Sequence, residues 1–168
     1  MSEPPRAVWL AVLVCATAEL ALLCGCATRL ESASVQGERI EVKVSLHGWH
    51  DLFVELNNIT GNPLEIRAAS LPWESRYSMW VKLFEDDATG SAVDERLVVA
   101  DSPTANEKVS LLPGKPLHGS IELRTRFPEL VEVLKRRDVI VFWSYIPEFS
   151  KGNNDCRLSG SLTIPKFR

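Results

Sequence analysis

Hydrophobic and polar residues alternate with a period of two through much of the chain after Arg39. The clearest run is Ile40–Leu46, in which every second residue is apolar and the residues between are charged or hydroxylated. This alternation predicts a half-buried β-strand. The same pattern predicts further strands, at Leu52–Leu56, Leu64–Ile66, Met79–Leu83, Leu117–Leu123 and Arg157–Ile164.

Two segments complete the set of predicted strands. Val139–Ile146 is apolar on both faces, which predicts a strand in the centre of a sheet. Leu97–Val99 is short and predicts an edge strand. Clusters of Asn, Gly and Pro separate the strands, as at Asn57–Pro63. About seven to eight short strands joined by such turns are typical of a β-sandwich.

One segment has the period of a helix instead. Its apolar residues fall at i, i+3, i+4 and i+7, and they are Phe127, Leu130, Val131 and Leu134. This spacing predicts one short helix over about 126–137, with Pro128 in its first turn, directly before the central strand. The basic run Lys135–Arg137 stands at the C-terminal end of this helix, where cations are favoured by the helix dipole.

The region from Ile40 to Ile164 resembles an immunoglobulin-like antiparallel β-sandwich. The stretches NNITGNPLEI, LLPGKPLHGSIEL and VIVFWSY are similar to those of small exported immunoglobulin-like domains of bacteria. A further likeness, of architecture only, is to the BsuPI-type proteinase inhibitors. The resemblance implies one sandwich domain over residues 39–168, and it transfers no site residues.

The first residues have the pattern of an export signal. Arg6 precedes the apolar stretch Ala7–Leu23, which Glu19 interrupts. The uninterrupted part is shorter than the ~20 residues that a transmembrane helix needs, but it suits the apolar core of a signal peptide. We therefore expect residues 1–25 to be a lipoprotein signal peptide, with an ordinary signal peptide or an uncleaved anchor as the alternatives.

The residues that end this stretch, Leu23-Cys24-Gly25-Cys26, resemble the lipobox of bacterial lipoproteins. The resemblance implies cleavage before Cys26 and acylation of Cys26 with palmitate or related chains, so that the protein binds the lipid bilayer. Ala27, where inner-membrane lipoproteins tend to have Asp, implies an outer-membrane location facing the periplasm. Residues 26–38 are expected to form a lipidated N-terminus and tether.

Charge and cysteine content narrow the classes of function. The net charge is −3 over 168 residues, and −2 without residues 1–25, which argues against a nucleic-acid binder. Cys15 and Cys24 would be removed with the signal peptide. Cys156 would then be the one cysteine of the domain apart from Cys26, so it is either a buried apolar residue or a free thiol.

The densest group of chemically capable residues is His47, His50 and Asp51. Two imidazoles and a carboxylate can bind zinc, but the segment also has the composition of a hairpin turn, and no cofactor or metal is expected. Cys156 and His118 show no sequence motif of nucleophilic catalysis. The sequence therefore predicts that the protein is not an enzyme.

Two aromatic residues are candidates for binding a partner. Trp80 and Phe84 alternate with the apolar positions of their strand and so lie on its outer face. Either a helix or loop covers them, or they form an exposed patch. We expect a binding or structural module of the bacterial cell envelope with a protein partner. The alternative is an inhibitor of an envelope protease that acts through the loop Asn57–Pro63 or Pro147–Asp155.

Overall fold

The computed structural model describes residues 32–96, 107–151 and 157–168. In these residues the chain forms nine strands, two short helices and a 3-10 turn at Ala68–Ser70. The strands are β1 (Ser32–Gln36), β2 (Ile40–His47), β3 (Asp51–Asn58), β4 (Leu64–Arg67), β5 (Met79–Glu85), β6 (Lys108–Leu111), β7 (Leu117–Glu122), β8 (Val139–Tyr145) and β9 (Leu158–Ile164). The helices are α1 (Leu123–Arg126) and α2 (Leu130–Leu134), and both precede β8.

These strands form three antiparallel sheets. Their orders are β1-β2-β3-β7, β4-β6 and β5-β8-β9, so that β8 is central in its sheet, as predicted. The buried faces of the two larger sheets belong to one hydrophobic cluster, the arrangement expected of a sandwich. The prediction of a mainly β, antiparallel fold is confirmed.

Alternation along each strand decides which side chains enter the core. On β2, Ile40, Val42 and Val44 are fully buried, whereas Lys43 between them is exposed. On β8, Trp143 and Tyr145 are buried in the same cluster, as their pattern predicted. Each such aliphatic or aromatic side chain contributes roughly 1.5–3 kcal/mol through burial, and this burial makes the register specific.

The predicted helix is two short helices with a break between them. Phe127 lies in the break with φ −128° and ψ 80°, outside the α region that the following Pro128 disfavours. The basic run has the expected position at the end of α2. Arg136 Nε donates to the Glu132 carbonyl at 3.4 Å, and Arg137 pairs with Glu85 and Asp87.

Other differences concern polar strands. Strand β1 lies inside residues 26–38, which the sequence assigned to a tether, and it pairs with β2 along its whole length. Strand β6, which pairs with β4, was also not predicted. With both strands included, the described residues contain nine strands rather than seven to eight. The predicted edge strand Leu97–Val99 lies outside the described residues.

Candidate functional site

The candidate metal ligands His47, His50 and Asp51 lie in and beside the turn between β2 and β3, but they do not converge. His47 stacks on Phe53 with ring centroids 4.7 Å apart, while His50 Nε2 lies 3.5 Å from Asp51 Oδ2. Gly48 has φ +69°, as a tight turn requires. Across residues 32–96, 107–151 and 157–168, no group of three His, Cys, Asp or Glu side chains is placed to hold a metal ion. The segment is therefore explained as a hairpin turn.

The cysteines of interest lie outside the described residues, at Cys26 and Cys156. His118 is on the outer face of β7, where its ring stacks on Phe53 at 5.4 Å. Its Nδ1 lies 3.6 Å from a Glu55 carboxylate oxygen. His118 is thus accounted for by contacts on the sheet surface.

The outer face of β5 carries Trp80, Lys82 and Phe84, as the alternation predicted, but the two aromatic residues differ in environment. Trp80 is 52% exposed. Phe84 is half-buried, because its ring packs edge-on against Phe142 at 5.6 Å and its backbone pairs with Ala92. Only Trp80 of the pair is therefore free to meet a partner.

Trp80 lines an open groove of about 1110 Å³ on the outer face of the sheet β5-β8-β9. Two further exposed aromatic residues line the groove, Tyr77 and Phe142, which are 79% and 41% exposed. The register places Trp80 directly opposite Ser144, and Ser144 directly opposite Ser159. The next row places Phe142 opposite Ser161. We call the three hydroxyl residues Ser144, Ser159 and Ser161 the serine floor.

Charged side chains stand at one end of the groove. Arg67 and Glu148 pair across it with a nitrogen-to-oxygen distance of 3.4 Å. Arg157 directly precedes β9 and also lines the groove. Arg157 forms no ion pair with any residue that the structure describes. Among the described residues, the charged side chains of the groove walls therefore sum to one positive charge.

A cluster of cations around Glu95 lies beside the edge strand β5 of this sheet. Arg76 and Arg126 each lie 2.6 Å from Glu95 Oε1, and Lys82 Nζ lies 3.1 Å from Oε2. Burial alone would raise the pKa of Glu95, but hydrogen bonds from the three cations outweigh it and lower the pKa to about 2. The cluster ties the segment after β5 to both β5 and α1.

The loop Asn57–Pro63, one of the two candidate inhibitory loops, is held by a buried amide. Asn58 Nδ2 donates to the carbonyls of Asn62 and Leu111, both at 2.8 Å. Its Oδ1 accepts from the backbone N–H of Thr60 at 2.8 Å. Ile59 projects from this loop with 40% exposure. The second candidate loop, Pro147–Asp155, lies partly outside the described residues.

Most of the groove was not predicted from the sequence. Trp80 could be placed on an outer face by its alternation. Tyr77 lies in a segment without regular alternation, and Arg67 and Arg157 lie at the ends of predicted strands, where alternation does not show that they approach Trp80. Two residues of the serine floor could have been predicted to face outward, because Ser159 and Ser161 alternate with the inward-facing Leu158 and Leu162.

Comparison with known protein families found no match to this chain, and comparison with curated proteins found none either. Among the described residues, no helix has the length and apolar character needed to cross a membrane.

Proposed function

We propose that this chain is a non-enzymatic binding module of the bacterial cell envelope, held at a membrane by acylated Cys26. The observation that carries the proposal is the exposure of Trp80 beside a groove. Tryptophan is among the residues enriched at binding hot spots, and its apolar area favours contact with a partner. The strand beneath it is paired with β8 and buried on its inner face, so Trp80 is presented by a rigid surface.

The proposed location is the outer membrane, with the domain facing the periplasm. Its support is the lipobox-like sequence Leu23–Cys26 and the Ala27 that follows. Two or more acyl chains on one cysteine hold a domain stably at a bilayer, since each buried CH₂ contributes about 0.8 kcal/mol. The bilayer is then one partner of the protein, and the occupant of the groove is the other.

The binding proposal can be tested without assuming what the partner is. A photoreactive benzophenone side chain at position 77 inserts into C–H bonds of proteins, lipids and sugars alike. In cells, we expect it to form an adduct that becomes several-fold weaker in a Trp80→Ala background. The matched controls are Ile59→Ala, an exposed apolar residue on a loop away from the groove, and Phe84→Ala, on the same strand face.

Both controls should leave the adduct intact, although Phe84→Ala should lower the thermal stability because its ring packs on Phe142. The proposal fails if no adduct forms, or if the Trp80→Ala and Ile59→Ala backgrounds give the same yield.

Inhibition of an envelope protease is the second candidate function, and the ordered loop Asn57–Pro63 favours it. An inhibitory loop has to be rigid before it binds, and the four hydrogen bonds of the Asn58 side chain restrict this one. In this case Ile59→Asp would abolish inhibition of envelope proteolysis, whereas Trp80→Ala would leave it unchanged. The opposite result would remove the inhibitor function.

A further inference from the structure

The serine floor carries hydroxyl groups that the protein itself does not use. Ser159 and Ser161 are exposed, whereas Ser144 is 9% exposed. Other serines of the groove bond to the backbone: Ser70 Oγ donates to the Arg67 carbonyl at 2.8 Å, and Ser78 Oγ donates to the Ala69 carbonyl at 2.7 Å. The hydroxyls of Ser144, Ser159 and Ser161 form no hydrogen bond with a described residue. They therefore remain able both to donate and to accept hydrogen bonds.

Their spacing suits a ligand with closely repeated polar groups. Residues directly opposite on antiparallel strands have Cβ atoms about 4.5–5.5 Å apart, which applies to Trp80 and Ser144 and again to Ser144 and Ser159. The row of Phe142 and Ser161 lies two residues along, at roughly 7 Å. An aromatic ring and a hydroxyl thus stand side by side in each of two successive rows.

This combination fits a sugar ring better than a protein surface. A pyranose has an apolar face of C–H groups, which packs on an aromatic ring, and a rim of hydroxyls, which needs hydrogen-bond partners. A dry protein interface would leave the three serine hydroxyls unpaired, at about 1–3 kcal/mol for each buried group. A sugar would satisfy them.

The size and charge of the groove narrow the class of sugar. At about 1110 Å³ it exceeds the range of roughly 300–1,000 Å³ usual for single small molecules, so a chain of several sugar units fits. Glu148 balances Arg67, which leaves Arg157 as the uncompensated charge among the described groove residues. A guanidinium binds a carboxylate through two parallel hydrogen bonds.

We infer that the groove binds an acidic oligosaccharide, with sugar faces on Trp80 and Phe142, sugar hydroxyls on the serine floor and a carboxylate on Arg157. This inference rests on the proposed function and names the chemical class of its partner. The inferred partner is an oligosaccharide rather than the protein that the sequence analysis expected. The reason is the set of hydroxyls and charges around Trp80, which the sequence alone did not show.

The test uses the full chain, purified from membranes in detergent, on an array of neutral and carboxylate-bearing oligosaccharides. We expect binding to carboxylate-bearing members, followed by titration calorimetry on one of them and on its carboxyl-reduced, neutral counterpart. Trp80→Ala should weaken binding to the acidic glycan by about tenfold or more, and Arg157→Ala by about tenfold. Arg157→Ala should change binding to the neutral counterpart little.

Each substitution has a matched control outside the groove. A third test variant, Ser159→Ala, removes one hydroxyl of the serine floor. The controls are Ile59→Ala for Trp80→Ala, Arg124→Ala for Arg157→Ala and Ser110→Ala for Ser159→Ala, and all three lie at exposed positions. Ser159→Ala should weaken binding several-fold, and the three controls should leave it unchanged.

Three results would overturn the inference: no glycan binds the intact protein, the neutral counterpart binds as tightly as the acidic one, or Trp80→Ala has no effect. Suppose that the benzophenone adduct depends on Trp80 but contains a protein, and that no glycan binds. The oligosaccharide inference would then be wrong, and the proposed binding function would remain supported. If no benzophenone adduct forms at all, the proposed binding function is wrong as well.

Discussion

Two glycines decide how large aromatic residues pack in this fold. Gly119 on β7 lies beneath the indole of Trp73, and a Cβ atom at this position would overlap the ring. Gly160 on β9 is paired with Trp143, and a Cβ there would lie 2.7 Å from Cζ2 of that indole. In both cases a strand position without a side chain provides the space for a tryptophan, Trp73 from the loop before β5 and Trp143 from the neighbouring strand.

We predict that Gly119→Ala destabilises the protein by about 1–3 kcal/mol, the usual cost of forcing an extra group into a packed site. Gly61→Ala is the matched control, because nothing lies within 4 Å of a Cβ at that loop position. Its free energy of unfolding should change by less than about 0.5 kcal/mol. Urea melts of both variants measure this, and equal stabilities would show that Trp73 moves away at no cost.

At the scale of elements, the sequence predicted strands where burial forces the alternation. Strands β2, β3, β5 and β8 each place one apolar face in the core, and their patterns were recognisable. Strand β1 was missed because its sequence is SASVQ, with only Ala33 and Val35 half-buried. Its position depends on pairing with β2, which is a tertiary contact and leaves little hydrophobic pattern.

The Glu95 cluster joins elements that are distant in sequence, and it should make stability depend on pH. The folded-state pKa of Glu95 is about 2, below its ordinary value of 4.5. Its contribution is therefore fully present above about pH 4.5 and is lost as the pH falls towards 2. The shift corresponds to roughly 3 kcal/mol before solvent screening reduces it.

We predict that Glu95→Gln lowers the free energy of unfolding at pH 7 by about 2–3 kcal/mol, because it leaves three cations without their carboxylate. The loss of stability between pH 4.5 and pH 3 should be smaller in this variant than in the parent protein. Glu132→Gln, which breaks the exposed pair with Lys135, should cost less than about 0.5 kcal/mol. Parallel pH profiles for parent and Glu95→Gln would contradict the assignment.

At the scale of the whole molecule, the sequence could place Trp80, Ser159 and Ser161 on outer strand faces, but it could not show which residues from other segments join them in one groove. Trp80 was a candidate because it interrupts the expected polar face of a strand. Arg67, Tyr77, Glu148 and Arg157 come from segments up to 90 residues apart, and their approach depends on how the sheets pack. Phe84 had the same pattern as Trp80, and only the contact with Phe142 separates the two.

The proposed acylation of Cys26 attaches the whole molecule to a membrane, and it predicts a defined covalent product. Expressed in a Gram-negative host, the membrane fraction should contain a protein that begins at Cys26 and carries the added mass of acyl chains. Cys26→Ala should release the protein from the membrane fraction or block its processing. Intact-mass spectrometry distinguishes these states, and a cleaved protein with an unmodified Cys26 would end the lipoprotein proposal.

Strand β1 has a consequence for the reach of the domain. Because β1 begins at Ser32, only five residues separate it from Cys26. Even fully extended, that connection spans no more than about 20 Å. In an acylated protein the start of β1 would then stay within about that distance of the bilayer, and the groove would meet partners that lie near the membrane surface. Confinement of this kind raises the effective concentration of nearby partners and excludes distant ones.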